Sequence, residues 1–157
     1  MNGNEKLIHD LYSAFQARDG EAMSALYHAD ALFSDPAFGS LNGREVGAMW
    51  RMLCRRGRDL QVTFDRVWAD NERGSAHWEA RYSFSSTGRK VHNVIEASFL
   101  FLDGKILEHH DRFDLWRWSA QALGPTGLLL GWTPLVRGRI RKQARDGLAA
   151  FLQKESV

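Results

Sequence analysis

Residues 76–85, Ala76-His77-Trp78-Glu79-Ala80-Arg81-Tyr82-Ser83-Phe84-Ser85, alternate without a break: Ala, Trp, Ala, Tyr and Phe at one parity, His, Glu, Arg, Ser and Ser at the other. A period of two is that of a β-strand, whose successive side chains point to opposite faces, so this segment is a strand with one apolar and one polar face. Leu60, Val62 and Phe64 repeat the pattern just upstream. Ser86-Thr87-Gly88 and Asp103-Gly104 are turn signals, and they bound two further strands, over 90–102 and 106–118. Long strands joined by short turns predict an antiparallel meander.

Before residue 57 the period is helical. Leu7, Ile8, Leu11, Tyr12 and Phe15 recur at three- and four-residue spacing, predicting a helix over 5–18 that Asp19-Gly20 ends. A second short helix is expected over 21–27 and a third over 44–55, with Val46, Met49, Trp50 and Leu53 inward. Between them, 31–34 reads as a short strand closed by Asp35-Pro36, because the residue before proline is pushed toward extended geometry. Helices first and sheet afterwards place the chain in the α+β class. Residues 1–157 read as one domain in which 120–157 is a helical tail. Pro134 opens its main helix, with Ile140, Ala144, Leu148 and Phe151 or Leu152 on the apolar side and Arg137, Arg139, Arg141, Lys142 and Arg145 crowding its start. Such a helix covers the sheet or makes a subunit contact; the alternative is a basic surface helix resting on an anionic membrane.

A chain of 157 residues is long enough to bury about 70% of its unfolded surface. Six Trp and nine Phe can line a pocket as well as fill a core. A net charge of +2 gives the whole molecule no claim on nucleic acid. Cys54 is the only cysteine, so neither an internal disulfide nor a Cys-based zinc site is expected. It lies on an apolar helix side with no His in sequence reach, which argues against a thiol nucleophile. The start MNGNEKLIHD has no basic-then-apolar order, and Leu128–Leu130 is too short to span a bilayer; a soluble, cytoplasmic protein is expected.

The chemistry concentrates in two places. In Ala31-Leu32-Phe33-Ser34-Asp35-Pro36-Ala37-Phe38-Gly39 a single carboxylate sits among apolar neighbours, where burial raises its pKa; its other reading is a turn residue accepting backbone N–H bonds. On the last strand His109, Asp111 and Phe113 share one face, while Glu108, His110, Arg112 and Asp114 share the other. Were the His77, Glu79, Arg81 and Ser83 face to look into the same cavity as Asp111, a cluster of His, Glu, Arg and Asp would result. Glu79 and Arg81 read alternatively as a solvated pair. The His-His-Asp run lacks metal-ligand spacing and no phosphate-binding loop is present, so neither metal nor cofactor is expected.

Three helices, a short strand ending in Asp35-Pro36, and a long meander together resemble the nuclear-transport-factor-2-like superfamily, which includes ketosteroid isomerases, SnoaL-like polyketide cyclases and limonene epoxide hydrolases. The resemblance spans about residues 5–118. It is carried by Asp19-Gly20-Glu21-Ala22, by Ser34-Asp35-Pro36 with Asn42-Gly43-Arg44-Glu45, and by Asp103-Gly104-Lys105-Ile106 leading into EHHDRFDLW. It implies a curved antiparallel sheet around a conical cavity closed by the N-terminal helices, and a homodimer through the outer sheet face. In the isomerases the matching aspartate moves a proton beside a ketone, and Asp35 holds that position. The places of their oxyanion tyrosine and protonated aspartate fall on Leu11 and Ala97, and each missing donor costs about 10²–10³ in rate. The epoxide hydrolases' Arg-Asp-Tyr-Phe-Asp run is similar to His110-Asp111-Arg112-Phe113-Asp114; Arg81 stands for their arginine, but Ser83 occupies the place of the second acid. The SnoaL-like cyclases, which resemble this chain in a Glu-His pair, fit best.

The resulting expectation is cofactor-free general acid–base catalysis, of isomerase or cyclase type, on an apolar small molecule. Asp35 is the base, Asp111 with His109 the acid and its orienting partner, and Arg81 the stabiliser of negative charge. Tyr12, Phe15, Trp50 and Phe113 contact the substrate, Trp50 also sharing a core role with Trp78 and Phe99. A non-catalytic ligand-binding protein of the same fold and a hydrolase with an incomplete acid–arginine–acid set are the alternatives.

Overall fold

The computed structural model describes residues 1–156. Helix α1 (Gly3–Gln16) is capped by Asn2, whose side chain accepts the Glu5 N–H, and α2 (Gly20–Ser24) by Asp19, which accepts the Ala22 N–H. The strands are β1 (Tyr27–Asp35), β2 (Gly39–Asn42), β3 (Gln61–Ala69), β4 (Arg73–Ser83), β5 (Lys90–Leu102) and β6 (Lys105–Arg112), with α3 (Arg44–Arg56) between β2 and β3. They form one open six-stranded sheet in the order β2-β1-β6-β5-β4-β3.

The meander β3 to β6 is antiparallel, as its alternation and turns require. The sheet as a whole is mixed, which corrects the expectation of an all-antiparallel one: β1 lies parallel to β6, with Phe33 opposite His109 and Ser34 opposite His110. Turn residues dictate which neighbours form hairpins, but this pair joins strands that are distant in sequence. The short strand at 31–34 is likewise longer than expected, and β2 turns back along it.

The last strand ends at Arg112 rather than Trp118. Asp114 accepts the Arg117 N–H at 3.1 Å and so caps a helix, α4 (Leu115–Leu123). Leu115, Trp118, Ser119 and Ala122 are its buried residues, spaced as on one helical face. The helical tail therefore begins near 115, and continues as α5 (Pro125–Leu130) and α6 (Pro134–Glu155).

Helices α1 and α3 bury Ile8, Leu11, Phe15, Met49 and Trp50 in the same core as Trp78, Ile95 and Phe99 of the sheet. The apolar face of β4 is thereby the inner one. The outer face carries a charged ladder, in which His77 joins Glu96 (2.6 Å) and Glu79 (2.8 Å), and His92 joins Glu79 (2.6 Å). Helix α6 packs on α3 and on the turn after β1, and its Ile140 shares an apolar cluster with Val91 of β5. Arg51 on α3 forks onto both oxygens of Glu155 at 2.8 Å, and Arg145 donates to the carbonyls of Phe38 (3.1 Å) and Ser40 (2.9 Å).

The tail's fold depends on contact between α4 and α5. A Cβ at Gly127 would lie 1.9 Å from the Ser119 carbonyl oxygen, whereas one at Gly138 on α6 would meet nothing within 4 Å. Gly127→Ala should therefore destabilise by about 1–3 kcal/mol, and Gly138→Ala should stabilise by about 0.5–1 kcal/mol. Denaturant unfolding of the two variants checks both signs.

Candidate active site

The inner sheet face, α3, α4 and α6 enclose a cavity of about 480 Å³, a size that accommodates a drug-sized ligand. Its walls are mostly rings and aliphatic chains: Phe15 from α1, Met49 and Trp50 from α3, Trp78 from β4, Ile95 from β5 and Ile140 from α6. Arg56, Gln143 and Arg139 lie toward the exposed rim. Two carboxylates, Asp35 and Asp111, line the same space.

Asp111 is 5% exposed and is held by a chain of hydrogen bonds with one consistent direction. Trp50 Nε1 can only donate, and it donates to Tyr27 Oη at 2.9 Å. Burial pushes the Tyr27 phenol well above its ordinary pKa, so its proton stays and points to His109 Nδ1, 2.8 Å away. His109 Nε2 then carries the imidazole proton and donates it to Asp111 Oδ1 at 2.8 Å, where Trp78 Nε1 donates as well at 3.2 Å. Oδ2 makes no hydrogen bond to a side chain or backbone among the described residues. His109 itself is fully buried behind Asp111, stacked on Trp50 and Tyr27, and does not line the cavity. His110, on the opposite parity, faces outward between Ser34 and Glu108.

Asp35 arrives from β1. Continuing the parallel register one residue past Ser34 and His110 sets it beside Asp111 on the neighbouring strand, and strands are spaced about 4.8 Å apart. Its Oδ1 accepts the Phe38 N–H at 2.5 Å, so the turn reading and the cavity reading hold together. Burial pushes its carboxyl up to about 7, against the Phe38 hydrogen bond, and the negative charge of Asp111 adds to the rise. Arg141, near the same turn, opposes it.

Phe15, Trp50 and Phe113 line the cavity; Tyr12 does not. The Tyr12 ring is buried against Phe64 and Trp78, and its Oη is the one buried side-chain polar atom without a hydrogen-bond partner among the described residues. Arg81 requires a correction. Asp111 pairs with Ala97 and Ala97 with Ala76, so the residues of β4 that share its face are Ala76, Trp78, Ala80 and Tyr82. Arg81 is exposed on the other face, and the expected cluster of His77, Glu79 and Arg81 with Asp111 is not assembled. The acid–arginine–acid set is absent for the same reason.

Two polar residues escaped the sequence reading. Asn93 lies on the cavity wall, and its side-chain amide makes no hydrogen bond within the described chain. Tyr82 Oη accepts the Trp118 Nε1–H at 2.7 Å, which leaves its own proton free for a ligand. A signal for Asn93 existed, since it falls in phase with Val91, Ile95 and Ala97, a polar group on an apolar face. Among the described residues no three His, Cys, Asp or Glu side chains converge as a metal site needs.

An open α+β sheet with helices at both ends, cupped around an apolar cavity, is the nuclear-transport-factor-2-like architecture. The chain belongs to the SnoaL-like domain family, whose model matches residues 8–109. No curated protein sequence matches it significantly. A Catenulispora acidiphila protein of ketosteroid isomerase-like fold, solved with trimethylamine, is similar in structure, with a TM-score of 0.66 and 17% identity over 82% of this chain and 97% of its own. An M. tuberculosis protein described as an LEH-like epoxide hydrolase gives 0.64 and 19% over 82% and 96%. A Xanthomonas campestris protein described as a putative polyketide cyclase gives 0.61 and 20% over 74% and 93%. Likeness at these identities establishes the fold.

The raised Asp35 pKa has a thermodynamic consequence. Between the unfolded value of 3.8 and the folded value of about 7 the native state binds the extra proton, so stability falls as pH rises through that window and levels off above it. Asp35→Asn keeps a turn acceptor without the charge. It should be more stable than the parent at pH 8, by an amount that shrinks toward zero at pH 4, as read by denaturant unfolding at each pH.

Proposed function

We propose that the chain catalyses proton transfer on an apolar, oxygen-bearing small molecule, with Asp35 and Asp111 as the exchanging pair. The observation that carries this reading is the placement of two carboxylates side by side in a cavity walled by rings. The expectation that Asp35 is simply the base is refined by its environment: a carboxyl pushed up to about 7 lies close enough to neutral pH to give or take a proton. Asp111 takes the complementary half of the exchange. His109 and Tyr27 are positioning residues that fix which oxygen of Asp111 remains free.

Asn93 and Tyr82 bind the substrate's oxygen. Their N–H and O–H groups serve in place of the isomerase donors, whose positions are Leu11 and Ala97 here, both buried and apolar. Isomerisation and aldol-type cyclisation both begin with removal of a proton beside a carbonyl, so one site of this composition serves either. The family match and the cyclase-like neighbour support the reading.

A hydrophobic bicyclic ketone in D₂O tests it, because deuterium entering the carbon beside the carbonyl reports proton abstraction whatever the natural substrate. The wild-type chain should accelerate exchange, and Asp35→Asn and Asp111→Asn should each reduce it by about 10²–10⁴ while the protein stays folded. Arg81→Gln should leave the rate unchanged. Ketone binding that survives both acid substitutions, with no enzyme-dependent exchange in the parent, identifies a binding protein and ends the catalytic reading.

A further inference from the structure

The tail presents an unusual surface. Leu128 (57% exposed), Leu129 (68%), Leu130 (48%), Trp132 (60%) and Leu135 (68%) face water within eight residues, and Trp116 of α4 (44%) adjoins them. They form one patch: Trp116 Nε1 donates to the Leu128 carbonyl at 2.9 Å and Trp132 Nε1 to the Leu129 carbonyl at 3.0 Å. Both indole N–H groups are thereby satisfied inside the protein, and the rings offer apolar bodies outward. Exposed apolar patches of this kind mark interaction sites. The other side of the segment is already engaged, since Val136, Ile140 and Ala144 line the cavity.

Charge identifies the occupant. From Leu115 to Arg145 there are six basic residues and no acid. Against a net +2 for the chain, these six leave −4 for the rest. Cations sit at the patch: Arg137 Nε donates to the Gly131 carbonyl at 3.2 Å, Arg117 follows Trp116, and Arg139 is exposed one turn further along α6. A second copy docked patch to patch would bring like charges together with no acid in the segment to offset them. Lipid phosphates supply the missing anions, and Leu and Trp beside Arg are the side chains that settle at the boundary of headgroups and acyl chains. No helix among the described residues is long and apolar enough to cross a membrane, so the contact is with one leaflet.

We propose that the α5–α6 corner docks on an anionic phospholipid bilayer, with Leu128–Leu130, Trp132 and Leu135 entering the interface and Arg117, Arg137 and Arg139 meeting lipid phosphates. Sedimentation of the full chain with vesicles tests this, using phosphatidylcholine alone and an equimolar mixture with phosphatidylglycerol. The chain should bind the mixed vesicles about tenfold or more tightly than the neutral ones, with the preference lost in high salt. The triple variant Leu129→Ser, Trp132→Ser, Leu135→Ser should lose binding to both, and Arg137→Gln with Arg139→Gln should lose the preference. As a check independent of those variants, lipids brominated on their acyl chains should quench the parent's tryptophan emission, and Trp132→Phe should lose most of that quenching. No binding to anionic vesicles, or binding that the triple variant retains, overturns the proposal. So does a patch-dependent dimer that binds no lipid.

Discussion

The parallel pairing of β1 with β6 is the constraint on which the site depends. It sets Phe33 against His109 and Ser34 against His110, and so delivers Asp35 to the cavity that Asp111 lines. The strand pairing fixes where both acids enter the cavity, and Asp35 stays within reach of the Asp111 charge. Burial is the main reason the Asp35 carboxyl is pushed up to about 7, and the negative charge of Asp111 adds to the rise. A β1 strand shifted by a single residue would turn Asp35 to the outer face and leave Asp111 alone.

The surroundings sustain that arrangement. Asp111 is buried, yet both bonds to its Oδ1 come from donors that are themselves anchored: Trp78 by the ring cluster of α1 and β4, His109 by Tyr27, and Tyr27 by Trp50. A buried polar chain in which each donor has an acceptor specifies one geometry; a break anywhere along it strands a group in an apolar medium, at a cost of about 1–3 kcal/mol. Asp35 is restrained differently, by the tight turn of Pro36 to Phe38 and by guanidinium groups of α6 that clasp the carbonyls of that turn. The tail is thus tied to the site from behind while its far side is turned to solvent.

Particular residues show where reading the chain succeeds and where it stops. Strict alternation from Ala76 to Phe84 is enough to define a two-faced strand, because period two has no other regular backbone. Asp103-Gly104, both with positive φ, closes the β5–β6 turn as its residue types suggest. The placement of His109 and Asp111 on one face and His110 on the other comes from the same parity. Phe113 to Trp118 misled, since a capping Asp114 converts that stretch to helix and its apolar spacing fits either period over so short a length.

The amino-acid sequence by itself determined the first helices, the β3–β6 meander and the side-chain parity along it, all of which are set by interactions within a few residues. It pointed to Asp35 and Asp111 as the acids to pursue. Tertiary structure alone decided which face of the sheet is inside, and so excluded Arg81 and admitted Asn93 and Tyr82, because helices α1 and α3 bury the apolar parity and leave the charged one to water. It alone decided that β1 runs parallel to β6. That pairing joins residues more than 70 positions apart, and no local preference can encode it.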